Sequence, residues 1–323
     1  MTTTDYPTKV TRYRELIAVG LTCILGWLFT WLATVVFKDY AFALFVWLPL
    51  VMGAVSTMIH AYKNPAKRST LRNIAYCTLG VFCFGLLFFA WEGVICMIMA
   101  APIGMFFTWI GFLIGYSLCR TKITGDTPFV IVLLILSVPS LMAFEDSVKT
   151  TENIRTVTTS IEINASPDIV WKHVASFPQL KDPTELIFKA GIAYPINATI
   201  QGKGVGAIRH CNFSTGSFEE PITLWDEPRL LRFSVTNNPE TMKELSFYDI
   251  KPNHIHGYWV SKQGEFKLIP LTNGKTLLRG TTWYVNKIEP DLYWKLWSDY
   301  IVHKIHTRVL EHIKLQAETT KIP

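Results

Sequence analysis

The sequence predicts two structural classes in one chain: an α-helical membrane bundle over residues 1–149, then an α+β domain over residues 150–323. In the second, a curved antiparallel sheet wraps around one long C-terminal helix. Three observations carry this division. Charge is stored almost wholly in the second half, since residues 1–149 hold 11 Lys/Arg and 7 Asp/Glu whereas residues 150–323 hold 20 and 18. Five uncharged runs of span length fill the first half. The second half alternates short β-branched runs with turn residues and closes on an amphipathic helix. A chain so divided is built for two solvents.

A helix needs about 20 apolar residues to cross roughly 30 Å of hydrocarbon. The runs at 16–37, 41–59, 73–91 and 127–144 meet or approach that length. The run Gly93–Cys119 is longer and carries Pro102, which predicts a short interfacial lead and a span over 100–119. Lys9, Arg12 and Arg14 precede the first span; Lys63, Lys67, Arg68 and Arg72 follow the second; Arg120 and Lys122 follow the fourth. The alternate connections hold only Lys38 with Asp39, then Glu92, then Glu145 and Asp146. Basic residues concentrate on the cytoplasmic side, so the amino terminus is expected there and the second half outside it, periplasmic or extracytoplasmic. The first run is too long for a cleaved signal segment and reads as an anchor. Glu92 reads as an interfacial carboxylate in a turn, and Gly111 with Gly115 as a small-xxx-small pair that permits close helix packing.

In the second half, Thr156–Asn164 alternates as a half-buried strand. Ser166-Pro167-Asp168 then opens a helix with an N-cap hydroxyl, a first-turn proline and an acid at the positive end. Pro178 ends it, and Asp182–Phe188 predicts a second short helix. Strands follow at Ala207–Phe213, Phe218–Trp225, Leu230–Thr236, Gly257–Val260, Glu265–Leu271 and Thr276–Val285. Turns are expected at Ser214–Ser217 and Ser261–Gly264, and a long excursion at Asn237–His256. Pro290 opens a helix to about Ala317 with an apolar stripe of Tyr293, Trp297, Ile301, Ile305 and Val309.

That order, together with Ile163-Asn164-Ala165-Ser166-Pro167, Val205–Cys211, Phe213–Phe218 and Glu220–Trp225, resembles the helix-grip fold of the SRPBCC superfamily, in particular its bacterial members fused to membrane spans. The superfamily includes START lipid-transfer domains and polyketide cyclase/dehydrase-like proteins. The resemblance covers Thr156 to about Ala317 and implies a cavity between sheet and helix. It is specific for fold and poor for function.

Within such a domain the candidate ligand-binding residues are Arg209, Tyr258, Arg279, Trp283, Tyr284, Tyr293, Trp297 and His303. The aromatics offer apolar area with a polar tip, and an inward arginine could take a carboxylate or phosphate head. Arg209 and Arg279 could instead lie in solvent or pair with Glu219 or Glu220. His254-x-His256 and His303-x-x-His306 have same-face spacing for a metal, yet such spacings arise readily by accident, and no metal or cofactor is assigned. Cys211 stands alone in the second half without a nucleophile motif. With no basic run, nucleic acid is excluded as a partner. The expected function is membrane-tethered binding of a lipid-like or other hydrophobic small molecule. The alternative is a cyclase, dehydratase or hydrolase working in the same cavity.

Overall fold

Each apolar run forms a helix, which pairs its backbone N–H and C=O groups within the segment. The computed structural model describes residues 9–63, 66–120, 126–148, 153–245 and 253–319. The helices are α1 (Lys9–Trp31, running on as a π-helical segment, Leu32–Phe37), α2 (Leu48–Ala61, led by a π-helical segment, Ala43–Trp47), α3 (Arg68–Phe88), α4 (Val94–Arg120) and α5 (Thr127–Ser147). All five are long and apolar enough to cross a bilayer. Lys122 and the expected boundary at residues 149–150 lie outside the described residues, as do positions 246–252 of the expected excursion.

Several boundaries differ from expectation, the first helix already opening at Lys9. No lead precedes the fourth span: α4 is one helix through Pro102, since a proline removes a single backbone bond that a packed helix can spare. The third helix opens at Arg68, not residue 73, and stops at Phe88, where the chain turns and Ala90 takes φ 57°. The last helix continues past residue 144 to Ser147.

Within the first unit, Met1–Thr150 with Ser246–Asn253, α2 is the most buried of the five long helices. It meets α4 through glycine. A Cβ built on Gly111 would lie 1.9 Å from the Leu50 carbonyl oxygen, and one on Gly53 would lie 2.4 Å from that of Thr108. Glu145 on α5 accepts the Ala43 N–H at 3.1 Å, which places a carboxylate on the unpaired donors that open the second helix. Glu92, buried between α3 and α4, accepts a 3.1 Å hydrogen bond from the Tyr40 hydroxyl.

The second unit comprises Thr151–Leu245 and His254–Pro323. Its strands are β1 (Ile154–Ile163), β2 (Pro195–Gln201), β3 (Ile208–Phe213), β4 (Gly216–Asp226), β5 (Leu230–Ser234), β6 (Trp259–Pro270) and β7 (Thr276–Asn286). Its helices are α6 (Pro167–Trp171), α7 (Leu186–Lys189) and α8 (Asp291–Thr319). The seven strands form one antiparallel sheet in the order β1-β7-β6-β5-β4-β3-β2, curled around α8.

The strand count hides two compensating differences. β2 was not expected; it is an edge strand whose first residue is Pro195, a position where the missing N–H costs no ladder bond. The expected turn at Ser261–Gly264 is a bulge instead, so β6 runs unbroken. Gly264 serves packing, because the Phe233 ring lies where its Cβ would be, at 2.4 Å. The two short helices are shorter than expected, and the Ser166 hydroxyl at the first N-cap makes no capping bond. The buried stripe of α8 is Trp294, Ser298, Val302, Val309, Leu310, Ile313 and Ala317. It sits one residue on from the expected stripe in the first half of the helix, leaving Tyr293 and Trp297 at its edge. The core joins Ile163, Val170, Trp171 and Phe177 to Leu231, Leu268 and Leu278 and to Leu310 and Ile313 of α8. Each such aliphatic side chain contributes roughly 1.5–3 kcal/mol by leaving water.

Candidate functional site

Strand parity decides which side chains face α8. Antiparallel partners share a face, and alternate residues along a strand do too. Arg155, Val157, Thr159 and Ile161 of β1 lie opposite Tyr284, Thr282, Gly280 and Leu278 of β7, and this is the face that α8 covers. Across the sheet the same face carries Phe266 and Gly264 of β6, Leu231 and Phe233 of β5, Glu220 of β4, and Arg209 and Cys211 of β3.

The polar centre of this concave face is an ion pair. Arg209 is 1 % exposed and Glu220 is 6 %. Its guanidinium Nη1 donates to the Glu220 carboxylate, and Nε donates to the Ala175 carbonyl at 3.1 Å. Three rings surround the cation, with centroids 5.3 Å (Phe233), 5.5 Å (Phe177) and 5.6 Å (Phe266) away. Burial pushes the Glu220 carboxyl up, against the opposing pull of Arg209. Burial works against the Arg209 charge, but Glu220 and then Cys211 oppose it and together leave the guanidinium pKa raised. Burial pushes the neighbouring Cys211 thiol up to about 12, so it is no nucleophile. Such a pair is weak evidence for stability, because well-packed apolar residues would serve as well or better. A charged pair kept inside an aromatic cage is a functional-site candidate.

A second polar group lies between β1, β7 and α8. Thr159 Oγ1 is 2.7 Å from His303 Nδ1 and 3.1 Å from His306 Nδ1, and Thr282 Oγ1 is 2.8 Å from His306 Nε2. One hydroxyl proton can serve only one of the two Nδ1 atoms, so the other must itself carry a proton and donate to the oxygen. Burial, and then His303, push the His306 imidazole down to about 4, so at neutral pH it is uncharged. Near the start of α8, Tyr284 donates to Asp299 at 2.6 Å and stacks on Trp259. Burial and that carboxylate push its phenol up.

Of the expected residues, Arg209 and Tyr284 face the interior. His303 stands on the exposed edge of α8 and reaches in through Thr159, while Tyr293 and Trp297 are half-buried on the same helix. Tyr258 is half-buried just before β6, and its carbonyl accepts the Lys287 N–H at 2.7 Å. Arg279 and Trp283 have the opposite parity to Tyr284 and lie on the convex face, so they are not brought together with Arg209. The buried Nε of Arg279 has no hydrogen-bond partner. The two histidine pairs have separate partners: His254 lies 4.0 Å from Glu244 and His256 3.3 Å from Glu240, while the other pair serves Thr159. Thr159, Thr282 and Asp299 were not singled out. The first was legible from the alternation of β1, the others only from the position of α8.

The sequence over residues 155–284 matches the family model described as polyketide cyclase / dehydrase and lipid transport. The seven-stranded sheet and α8 together have the helix-grip fold of the SRPBCC superfamily. The matched segment runs from β1 to β7. Similar solved structures include a truncated norcoclaurine synthase from Thalictrum flavum (14 % identity, TM-score 0.35, covering 54 % of this chain and 99 % of that one). An aromatase/cyclase from a Streptomyces species is similar too (14 %, TM-score 0.34, covering 51 % and 94 %). So is an uncharacterised protein from Bacillus thuringiensis (16 %, TM-score 0.33, covering 50 % and 97 %). No curated protein sequence matches the chain. The family description of the helix-grip domain supports hydrophobic ligand binding or cyclase-type activity.

Proposed function

We propose that the chain tethers its helix-grip domain to a membrane and holds a lipid-like or other apolar small molecule between the sheet and α8. The observation that carries this reading is the Arg209–Glu220 pair inside its cage of Phe177, Phe233 and Phe266. An apolar wall with one fixed charged pair suits a greasy body with a single polar end. Mass spectrometry of the purified full chain should release an apolar molecule in stoichiometric amount. The double substitution Arg209→Met with Glu220→Leu should keep the fold and abolish that molecule. Repeated preparations that are folded and empty would sink the reading.

A second reading, a cyclase, dehydratase or hydrolase acting in the same interior, is favoured by the neutral His306 held between two hydroxyls. Incubation of the extracted molecule with the chain separates the two. A carrier returns it unchanged, whereas an enzyme returns it cyclised or with water lost or gained.

The apolar helices and the alternation of basic connections support five spans with the amino terminus in the cytoplasm and the helix-grip domain on the far side. In intact cells, a membrane-impermeant amine reagent should then modify the exposed Lys203. Modification only after lysis would reverse the orientation.

A further inference from the structure

The outward stripe of α8 changes character along its length. Its first positions are Leu292 (72 % exposed), Leu296 (64 %) and Tyr300 (46 %), spaced four residues apart on one face. The continuation of the same stripe is His303, Thr307 and Glu311. A helix facing only water has no reason to place two leucines at its most exposed positions over one half and polar groups over the other. The apolar half also lies at a particular end of the domain. Arg155 Nε donates to Asp291 Oδ1 at 3.0 Å, tying the first residue of α8 to the start of β1, where Ile154 is 62 % exposed. Only residues 148–153 separate β1 from the end of α5. That connection can span at most about 25 Å at roughly 3.6 Å per residue.

From this placement we infer that Leu292, Leu296 and Tyr300, with Ile154, form a docking face that beds into the interfacial region of the bilayer into which the preceding helices insert. The inference rests on the membrane tether proposed above. Half-buried Tyr293 and Trp297 beside the stripe are amphipathic aromatics of the kind enriched at that depth. Lys295 and Lys304 flank it, Lys304 lying 5.7 Å from the Tyr300 ring centroid, and their long stems let the ammonium groups reach head groups while the leucines sit deeper. A helix lying in the interface plane with such a composition binds through its buried apolar area. The bilayer is the occupant that the short connection keeps permanently within reach.

The test uses the full chain in vesicles of phosphatidylethanolamine and phosphatidylglycerol, with a photo-crosslinking diazirine residue replacing Leu296 or, as a control, Leu315. Leu315 is 49 % exposed near the other end of the same helix, roughly 28 Å away at 1.5 Å per residue. Lipid adducts several-fold more abundant at position 296 than at 315 are expected, and the Leu292→Glu/Ile154→Glu background should lower them toward the control. Equal yields at the two positions, or adducts at 296 to protein alone, whether within the chain or to a second copy, overturn the docking face. The small-molecule content of the same preparations is read separately. Ligand retained without the lipid adduct removes the docking face and leaves ligand binding intact; the adduct without ligand does the reverse.

Discussion

Several buried threonines in the apolar helices bond back to their own helix, although Thr108 reaches the Pro49 carbonyl and Tyr40 reaches Glu92. Thr30 donates to Gly26 O, Thr57 to Gly53 O and Thr78 to Ile74 O, each four residues away, at 2.7–2.9 Å. In the helix-grip domain the buried polar groups find partners on another element: Tyr284 donates to Asp299 of α8, and Arg209 of β3 pairs with Glu220 of β4. The contrast follows from the alternatives each group has when unfolded or unpaired. Among apolar neighbours a hydroxyl has few partners to turn to, and the nearest carbonyl of its own helix satisfies it without a partner helix. A group in the water-borne domain gives up solvent on folding, so it is kept inside only where another element supplies a specific partner. Helix association in the first unit combines close glycine contacts with a few inter-helix polar bonds such as Trp47 to Ser137, and the second unit relies on paired polar groups.

The contrast breaks most readily at Glu220. Glu220→Ala leaves the Arg209 guanidinium buried without its carboxylate, and the expected cost is about 3–5 kcal/mol, read as lost hydrogen-exchange protection in β3 and β4. The double variant Arg209→Met/Glu220→Leu should recover most of it. If the single substitution costs less than about 1 kcal/mol, the pair is not a buried one.

Next in size is a pH effect confined to the helix-grip domain. His306 is neutral in the folded state, with its pKa near 4, whereas the unfolded imidazole titrates near 6.5. Its contribution is therefore complete above about pH 6.5 and lost as pH falls toward 4, amounting to at most about 3 kcal/mol at 1.36 kcal/mol per pKa unit. His254, buried and also lowered to about 4, acts in the same direction. The midpoint of unfolding should drop across that window, less steeply in His306→Gln. An unchanged pH dependence in that variant would remove His306 from the account.

In the first unit, Gly111→Ala should cost about 2 kcal/mol, because its methyl group meets the Leu50 carbonyl and α2 and α4 must part. Gly80→Ala, with nothing within 4 Å, should be neutral or gain up to about 1 kcal/mol of helix propensity. Thermal unfolding in detergent compares the two. The smallest effect is expected at Arg232, whose pair with Glu265 at 2.6 Å leaves the arginine side chain 40 % exposed. Arg232→Ala should move stability by no more than about 1 kcal/mol.

Much of the architecture was legible because it is written in local pattern. Uncharged length marks the spans, the Ser166-Pro167-Asp168 start marks α6, and β1 and β7 announce themselves by β-branched alternation. The candidate site was less legible. A four-residue turn at Ser214–Ser217 would have set Arg209 opposite another residue, whereas the observed hairpin closes on Phe213 and Gly216 and brings Glu220 beside it. Arg279 and Trp283 differ from Tyr284 only by parity, and parity acquires meaning only once α8 has chosen a face of the sheet. The one-residue shift in the buried stripe of α8 has the same origin, since an amphipathic helix rich in aromatics offers two adjacent seams of similar apolarity.

By itself, then, the sequence determined the solvent each segment suits: five stretches long and apolar enough to cross a membrane, and a domain that can bury one face of a sheet against one long helix. Those are local, additive properties of composition and period. Tertiary structure alone decided which polar groups meet. Arg209 with Glu220, Thr159 with both His303 and His306, and Tyr284 with Asp299 depend on register and on the seating of α8. A slip of one residue in a strand turns every side chain to the other face.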